Sequence, residues 1–489
     1  MSPSNRWLVL AIVSSALFLI VIDMTVLYTA LPTLTHDLRA TATEKLWIVN
    51  AYPLVVAGLL PGVGTLGDRL GHKRMFLAGL VVFGLASLGA AFSPTSAWLI
   101  AARALLALGA AMMMPATLSL IRLTFIDEKE RAFAIGVWAA VASGGAAFGP
   151  VVGGALLEHF WWGSVFLINV PVVLIALLAG ATLLPNRPGN SDHPWDLVGS
   201  VQVMIGLVGL TYAIKEMAKR DPSWFAAALA FAIGLVAMIV FVRRQLASRT
   251  PLIDFSLFAN SRFSAGVATA MVASAALIGV ELVFSQRLQL VLGLSPLQAG
   301  LIILPIPLAA FIAGPLTGLA LPRLGAVRVL WSSLLLAGAM LIAYLLAYQG
   351  ATWLWLTALS LMGFGFGAAM TAASSVIMLS APEERAGMAA SIEEVSFELG
   401  GALGIAFLGS LMSGLYTYAM VLPQGIAAQA GDSLDEALLV AERLAPAEAQ
   451  TLTALAGAAF DQAFFGVIAA AATLLVLVSL VIWRRTSTV

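Results

Sequence analysis

The chain of 489 residues is 61% hydrophobic and only 10% charged, with a mean hydropathy of +0.99, which excludes an ordinary soluble domain and indicates an integral membrane protein. Its 25 Lys and Arg balance its 25 Asp and Glu, so no net field selects nucleic acid and charge carries meaning only by position. Cysteine is absent and the four histidines, His36, His72, His159 and His193, fall in separate apparent loops, so disulfides, metal sites and other cofactors are not expected.

Apolar segments of the roughly 20 residues needed to cross about 30 Å of hydrocarbon recur to the end of the chain. They lie near 7–31, 45–63, 75–93, 97–120, 132–156, 164–184, 196–214, 223–242, 263–285, 297–319, 328–348, 352–378, 388–414 and 461–483, which predicts fourteen spans. The first is too long for a signal-peptide core and is read as a retained span. With a cytoplasmic N-terminus, seventeen Lys and Arg fall inside and seven outside, Arg103 being left within a span. This bias predicts both termini in the cytoplasm. An odd span number would carry Arg484 and Arg485 outside.

In the first span Asp23 has apolar residues on both sides, where a charge costs about 2.5–3.5 kcal/mol at the bilayer centre. Counting about 1.5 Å per residue puts it in the outer half of that span and Arg103 of the fourth span at similar depth. The two can pair, as a proton relay or as a structural bridge. Spans 2 and 3 are joined by GTLGDRLGHKR, where Gly64, Gly67 and Gly71 permit a tight turn and close helix approach. Asp68 and Arg69 there can meet charges or helix ends elsewhere in the molecule, with Arg74 closing the motif. Span 5 contains GAAFGPVVGG, in which Gly145, Gly149 and Gly153 share one face, Gly154 adjoins them and Pro150 favours a kink.

A weak internal repeat follows at an offset of 254 residues: Arg69, Leu70, Gly71 and Arg74 recur as Arg323, Leu324, Gly325 and Arg328, and Arg131 recurs as Arg385. Pro322 stands in the place of Asp68, so any latch is asymmetric. The repeat predicts a six-helix bundle over 1–184, two inserted helices with linkers over 185–262, and a second six-helix bundle over 263–489. The second bundle includes an outer loop of about 415–460, read as a short helical hairpin broken at Pro446. Further acids lie in span 9 (Glu281) and span 13 (Glu393, Glu394, Glu398). Glu394 and Glu398 are four apart and share a face, while Glu393 points about 100° away. Two carboxylates in a low-dielectric site resist ionising together, so one can carry a proton.

The loop Gly64 to Arg74 resembles the signature loop between spans 2 and 3 of the major facilitator superfamily, and GAAFGPVVGG resembles its antiporter motif. Asp23 with TVLYTALP, the stretch Leu99 to Ala111 and the stretch Val291 to Gly300 resemble its fourteen-span drug:proton antiporters. HFWWGSVFLINVP departs from the pattern, with Gly163 or Ser164 where relatives carry Arg. The resemblance covers essentially the whole chain. It implies an all-α integral membrane protein with the major facilitator fold, two six-helix bundles plus two inserted helices, in the cell inner (cytoplasmic) membrane, functioning as a monomer and not an enzyme. It further implies proton-coupled export of lipophilic cations (quaternary ammonium, bisbiguanide, acridine or viologen type) by alternating access. Asp23, Arg103, Glu281, Glu394 and Glu398 would then serve proton coupling and cation binding, Gly64, Asp68, Arg69, Gly71 and Arg74 would form a cytoplasmic gate, and Gly145, Gly149, Pro150, Gly153 and Gly154 the antiporter motif. Aromatic residues in the spans, such as Tyr52, Trp138 and Phe397, offer cation–π contacts. Export of one specific metabolite on the same fold is the alternative. An intramembrane enzyme or an ATP-driven pump has no nucleophile–base pair or nucleotide loop to rest on.

Overall fold

A chain in hydrocarbon must satisfy its own backbone, and in the computed structural model every regular element among the described residues is helical. The structure describes residues 3–487 except 41, 188, 190–195, 218–221, 249–250, 295, 349 and 424–425. His193, and Lys219, Arg220 and Arg249 of the charge count, lie outside the described residues. The first six long helices are α1 (Pro3–Asp37), α2 (Ala42–Leu70), α3 (His72–Ala91), α4 (Ser96–Thr124), α5 (Glu128–His159) and α6 (Ser164–Leu183). Two more follow, α7 (Leu197–Met217) and α8 (Trp224–Ala247). The last six are α9 (Ser261–Gln286), α10 (Pro305–Leu324, led in by a short helix Pro296–Ile303), α11 (Ala326–Ala347), α12 (Thr352–Ser380), α13 (Ala386–Ala419) and α14 (Pro446–Ser487). Thirteen helices among the described residues are long and apolar enough to cross a membrane. α5, of 32 residues, also exceeds the length a span needs but is not among them.

Within α1–α6, α3 packs on α4, α2 on α4 and α1 on both α5 and α6, around a core that includes Ile20, Phe83 and Leu106. Within α9–α14, α9 packs on α13 and α11 on both α12 and α14, around Leu341, Phe366 and Phe464. The two groups meet along two seams, α5 against α10 and α2 against α13. α7 and α8 pair with each other, and α7 lies mainly along α2. Gly71 (φ 96°) and Gly325 (φ 83°), equivalent in the repeat, open α3 and α11 with the same left-handed backbone.

Over the outer loop, 415–460, α13 runs on to Ala419, the short helix Leu434–Ala441 packs on the start of α14, and α14 begins at Pro446 after a break at 442–445, so the second arm of the expected hairpin is the first part of the span helix. Proline is favoured in the first turn, where its missing N–H has no intrahelical partner. The following AEAQTLTALAGAA contains no breaker, so the helix continues into the span. Ala430, Leu434 and Ala437 bury against the α9–α14 core, which ties the loop to that group of helices.

Candidate functional site

Asp23 lies mid-chain in α1, and Arg103, on the second turn of α4, reaches it. Nη1 of Arg103 donates to Asp23 Oδ2 at 2.9 Å, and both side chains are almost fully buried. Two groups absent from the expected set complete the site. Asn169 Nδ2, in the second turn of α6, donates to Asp23 Oδ1 at 3.0 Å and approaches Ser87 Oγ of α3 at 3.2 Å. The Arg103 guanidinium also donates through Nε to the Ile48 carbonyl at 3.2 Å and lies 4.7 Å from the centre of the Tyr52 ring. Charge pairing and hydrogen bonding thus offset the cost of burying Asp23. The site draws on α1, α2, α3, α4 and α6.

Tyr52 joins this pair to the other group of helices, because it interacts electrostatically with Asp23, Arg103 and Glu398 of α13. Its own hydroxyl is buried without a hydrogen-bond partner among the described residues. Glu394 is 4% exposed, its Oε1 has no hydrogen-bond partner among the described residues, and it feels the charges of Glu393 and Glu398. Glu393 is fully buried against α12 and accepts a hydrogen bond from Ser374. α13 therefore carries three acids within six positions, Glu394 and Glu398 four apart on one face and Glu393 turned into the α12–α13 contact. Glu281 is half-buried near the far end of α9, and no ion pair or side-chain hydrogen bond joins it to this cluster among the described residues. Trp138 is fixed by a 3.0 Å hydrogen bond to Thr117.

The GTLGDRLGHKR motif lies at the end of the bundle that carries both chain termini. Asp68 accepts from the backbone N–H groups of Gly387 (2.8 Å) and Met388 (3.1 Å), so it caps the N-terminus of α13 from a separate helix. His72 Nε2 stands 3.3 Å from the same carboxylate. A Cβ on Gly64 would overlap Ser391 and the Gly387 carbonyl, so only glycine admits α13 here. Arg69 and Arg74 make no ion pair among the described residues. The basic grip comes instead from Arg122, which donates to the Ala381 carbonyl at 2.6 Å at the end of α12, and from Arg187, paired with Glu383 at 2.8 Å. A carboxylate thus meets a helix N-terminus and a guanidinium a helix C-terminus, both favourable to the helix dipole.

In α5 the motif glycines face α1. A Cβ on Gly145 would press on Val21, and one on Gly149 would overlap Thr25. Gly153 is buried and Gly154 meets nothing within 4 Å. Pro150 lies within α5, with its side chain outside the described residues. Earlier in α5, Gly136 sits against the backbone of Gly314 and Pro315 in α10, and Ala132 against Gly318, closing the second seam toward the same end as Asp68.

Sequence reading left out Asn169, Ser87 and the pair formed by Arg287 and Asp461, which are 2.7 Å apart under the rings of Tyr348, Phe464 and Phe465. An Asn inside the otherwise apolar VFLINVPVVLI was the available signal for the first. Among the described residues no group of His, Cys, Asp and Glu could hold a metal ion.

The sequence model of the Major Facilitator Superfamily matches residues 13–405. The chain is 42% identical over 484 residues to the methyl viologen resistance protein SmvA of Salmonella typhimurium, covering 98% of each chain. It is 39% identical over 465 residues to the multidrug efflux pump LfrA of Mycolicibacterium smegmatis, covering 94% of this chain and 92% of that one. Its fold is similar to the crystal structure of the human organic anion transporter MFSD10, with a TM-score of 0.64, 16% identity, and coverage of 97% of this chain and all of the other. The helical architecture and the end-to-end match agree, and the chain belongs to the major facilitator superfamily of membrane transporters.

Proposed function

We propose that this protein is a proton-coupled exporter of lipophilic cations that works by alternating access between two six-helix bundles, residues 1–184 and 263–489, with α7 and α8 as an inserted pair and fourteen spans in all. The observation that carries the reading is the acid cluster of α13, where Glu394 keeps an unpaired oxygen in a buried setting beside Glu398 and near the Asp23–Arg103–Tyr52 group. A bulky cation without hydrogen-bond donors suits an unpaired carboxylate beside an aromatic ring. The full-length likeness to proteins named for viologen resistance and multidrug efflux supports the same substrate class.

In this reading protons and drug compete for Glu394 and Glu398. Loss of a proton to the cytoplasm readies the carboxylates for a cation, and protonation from outside releases it. The Asp68 cap on α13 and the Arg122 and Arg187 contacts hold the termini-bearing face shut. With that face cytoplasmic, as the Lys and Arg bias indicates, the structure is closed toward the cell interior. Gly64, Gly71 and the row Gly145, Gly149 and Gly153 allow the close helix contacts such a gate needs, and Arg69 and Arg74 face the cytoplasm beside it.

The test is uptake of a fluorescent lipophilic cation by inside-out proteoliposomes made acidic inside. Uptake that collapses when the pH gradient is dissipated is the expected result. Absence of uptake by folded, inserted protein overturns the reading and leaves a metabolite exporter as the better account.

A further inference from the structure

The face that carries both chain ends holds a cavity of about 920 Å³ where the ends of α9, α10, α11, α12 and α14 converge, with the first turn of α5 at its rim. Arg262 of α9 and Arg328 of α11 line it, both exposed, and neither guanidinium has an ion-pair partner among the described residues. Glu128 is the one carboxylate of the lining. Trp331 and Trp483 also line it, their ring centres 6.4 Å apart.

The internal repeat shows why the space stays open. In the first half Lys73 donates to the carbonyls of Ala181 (2.8 Å) and Leu184 (2.9 Å) and plugs the end of α6. Its counterpart at the 254-residue offset is Val327, which has no donor and lines the cavity instead. Arg6, on the first turn of α1, is neutralised by Glu130. Arg262, on the first turn of α9, has no such partner. The second half therefore keeps two free guanidinium groups around an unfilled space at the membrane boundary.

We propose that this cavity binds the phosphodiester of an anionic phospholipid from the adjoining leaflet, gripped by Arg262 and Arg328, with Trp331 and Trp483 at the glycerol level. Guanidinium groups match phosphate oxygens in charge and geometry, and tryptophan is favoured at the headgroup boundary. A lipid fits better than a free anion because the lining continues into exposed apolar side chains. Leu324 (53% exposed) and Leu379 (41%) lie on the lining itself, and Leu480 (42%) is one turn along α14 from Trp483.

The experiment uses the purified full chain in neutral detergent, with melting temperature and native mass spectrometry read against phosphatidylglycerol, phosphatidylcholine and inorganic phosphate. Phosphatidylglycerol should raise the melting temperature and remain bound, while the other two do neither. The double variant Arg262→Gln with Arg328→Gln should retain about tenfold less phosphatidylglycerol, from the loss of charge-assisted hydrogen bonds, and melt like the parent without lipid. If the double variant cannot be purified, each single variant carries the same comparison with a smaller loss. Phosphatidylglycerol retained in full by the variants overturns the proposal. An equal response to inorganic phosphate also overturns it, making the cavity a free-anion site.

Discussion

The two partners of Asp23 do different work, and substitution should separate them. Arg103 supplies the opposite charge, so Arg103→Ala leaves a carboxylate buried with one amide donor and should cost about 3–5 kcal/mol. Asn169→Ala removes a single hydrogen bond and should cost about 1–3 kcal/mol. Thermal melts of the purified variants check the order, and a lower melt for Asn169→Ala would make the amide, not the charge, the main support. On α13, Glu394→Gln and Glu398→Gln should fold normally and lose uptake driven by the pH gradient. Full coupled uptake in either variant removes that acid from the proposed exchange. Depth counting was enough to bring Asp23 and Arg103 together, because a buried charge demands an opposite charge at its own level. Asn169 and Ser87 escaped the same argument, since single neutral polar residues within membrane helices are ordinary and nothing in their spacing points to Asp23. Glu393, known from its spacing to point away, finds its role only through Ser374, which lies nineteen positions earlier on another helix.

At the scale of elements, the grip on α13 rests on two N–H donors held by one carboxylate. Asp68→Ala removes both bonds, worth about 1.5–3 kcal/mol each when charge-assisted. Ser391, 1% exposed and packed beside Gly64, offers a reporter in a chain without native cysteine. Thiol labelling of Ser391→Cys should be slow and should speed by about tenfold or more when Asp68→Ala is added, tenfold corresponding to about 1.4 kcal/mol. An unchanged rate would show that the seam holds without the cap. Asp196 fastens α7 to α8, accepting from Gly199 N–H (2.8 Å), Arg244 (3.1 Å) and Gln245 (3.1 Å). Partial burial pushes its carboxyl upward, but these hydrogen bonds outweigh it and hold the group below the usual aspartate range. A depressed value adds stability that is present above the unfolded value of about 3.9 and is lost as pH falls through the folded one. Asp196→Asn should therefore lower the melting temperature at pH 7, with the difference from the parent shrinking below about pH 4. Helix positions were legible because apolar runs must be helical in a bilayer. The start of α14 was not, because Pro446 reads equally as a breaker or as a first-turn residue, and only the neighbouring fold decides.

For the whole molecule, the placement of the inserted pair could not be read from its own sequence, since an apolar helix names no neighbour. In the structure α7 lies along α2: a Cβ on Gly58 would press on Met204 and Val208, one on Gly62 on Ser200, and Trp47 stacks on Tyr212 with ring centres 6.1 Å apart. Contacts of Val395 and Leu399 on α13 with the small α7–α8 core are the lesser part. The pair should therefore travel with the first half when the seams open. That motion can be tested at Arg187 and Glu383, whose 2.8 Å ion pair bridges the halves while both side chains stay about half exposed. An exposed pair of this kind contributes only about 0–1 kcal/mol, so Arg187→Cys and Glu383→Cys should fold and transport singly. Bridged by a short bis-maleimide in the double variant, they should arrest cation uptake completely, with transport unaffected by a mono-functional maleimide on either residue. Continued uptake in the bridged protein would mean that the termini-bearing face need not open, and relative motion of the two halves would no longer explain transport.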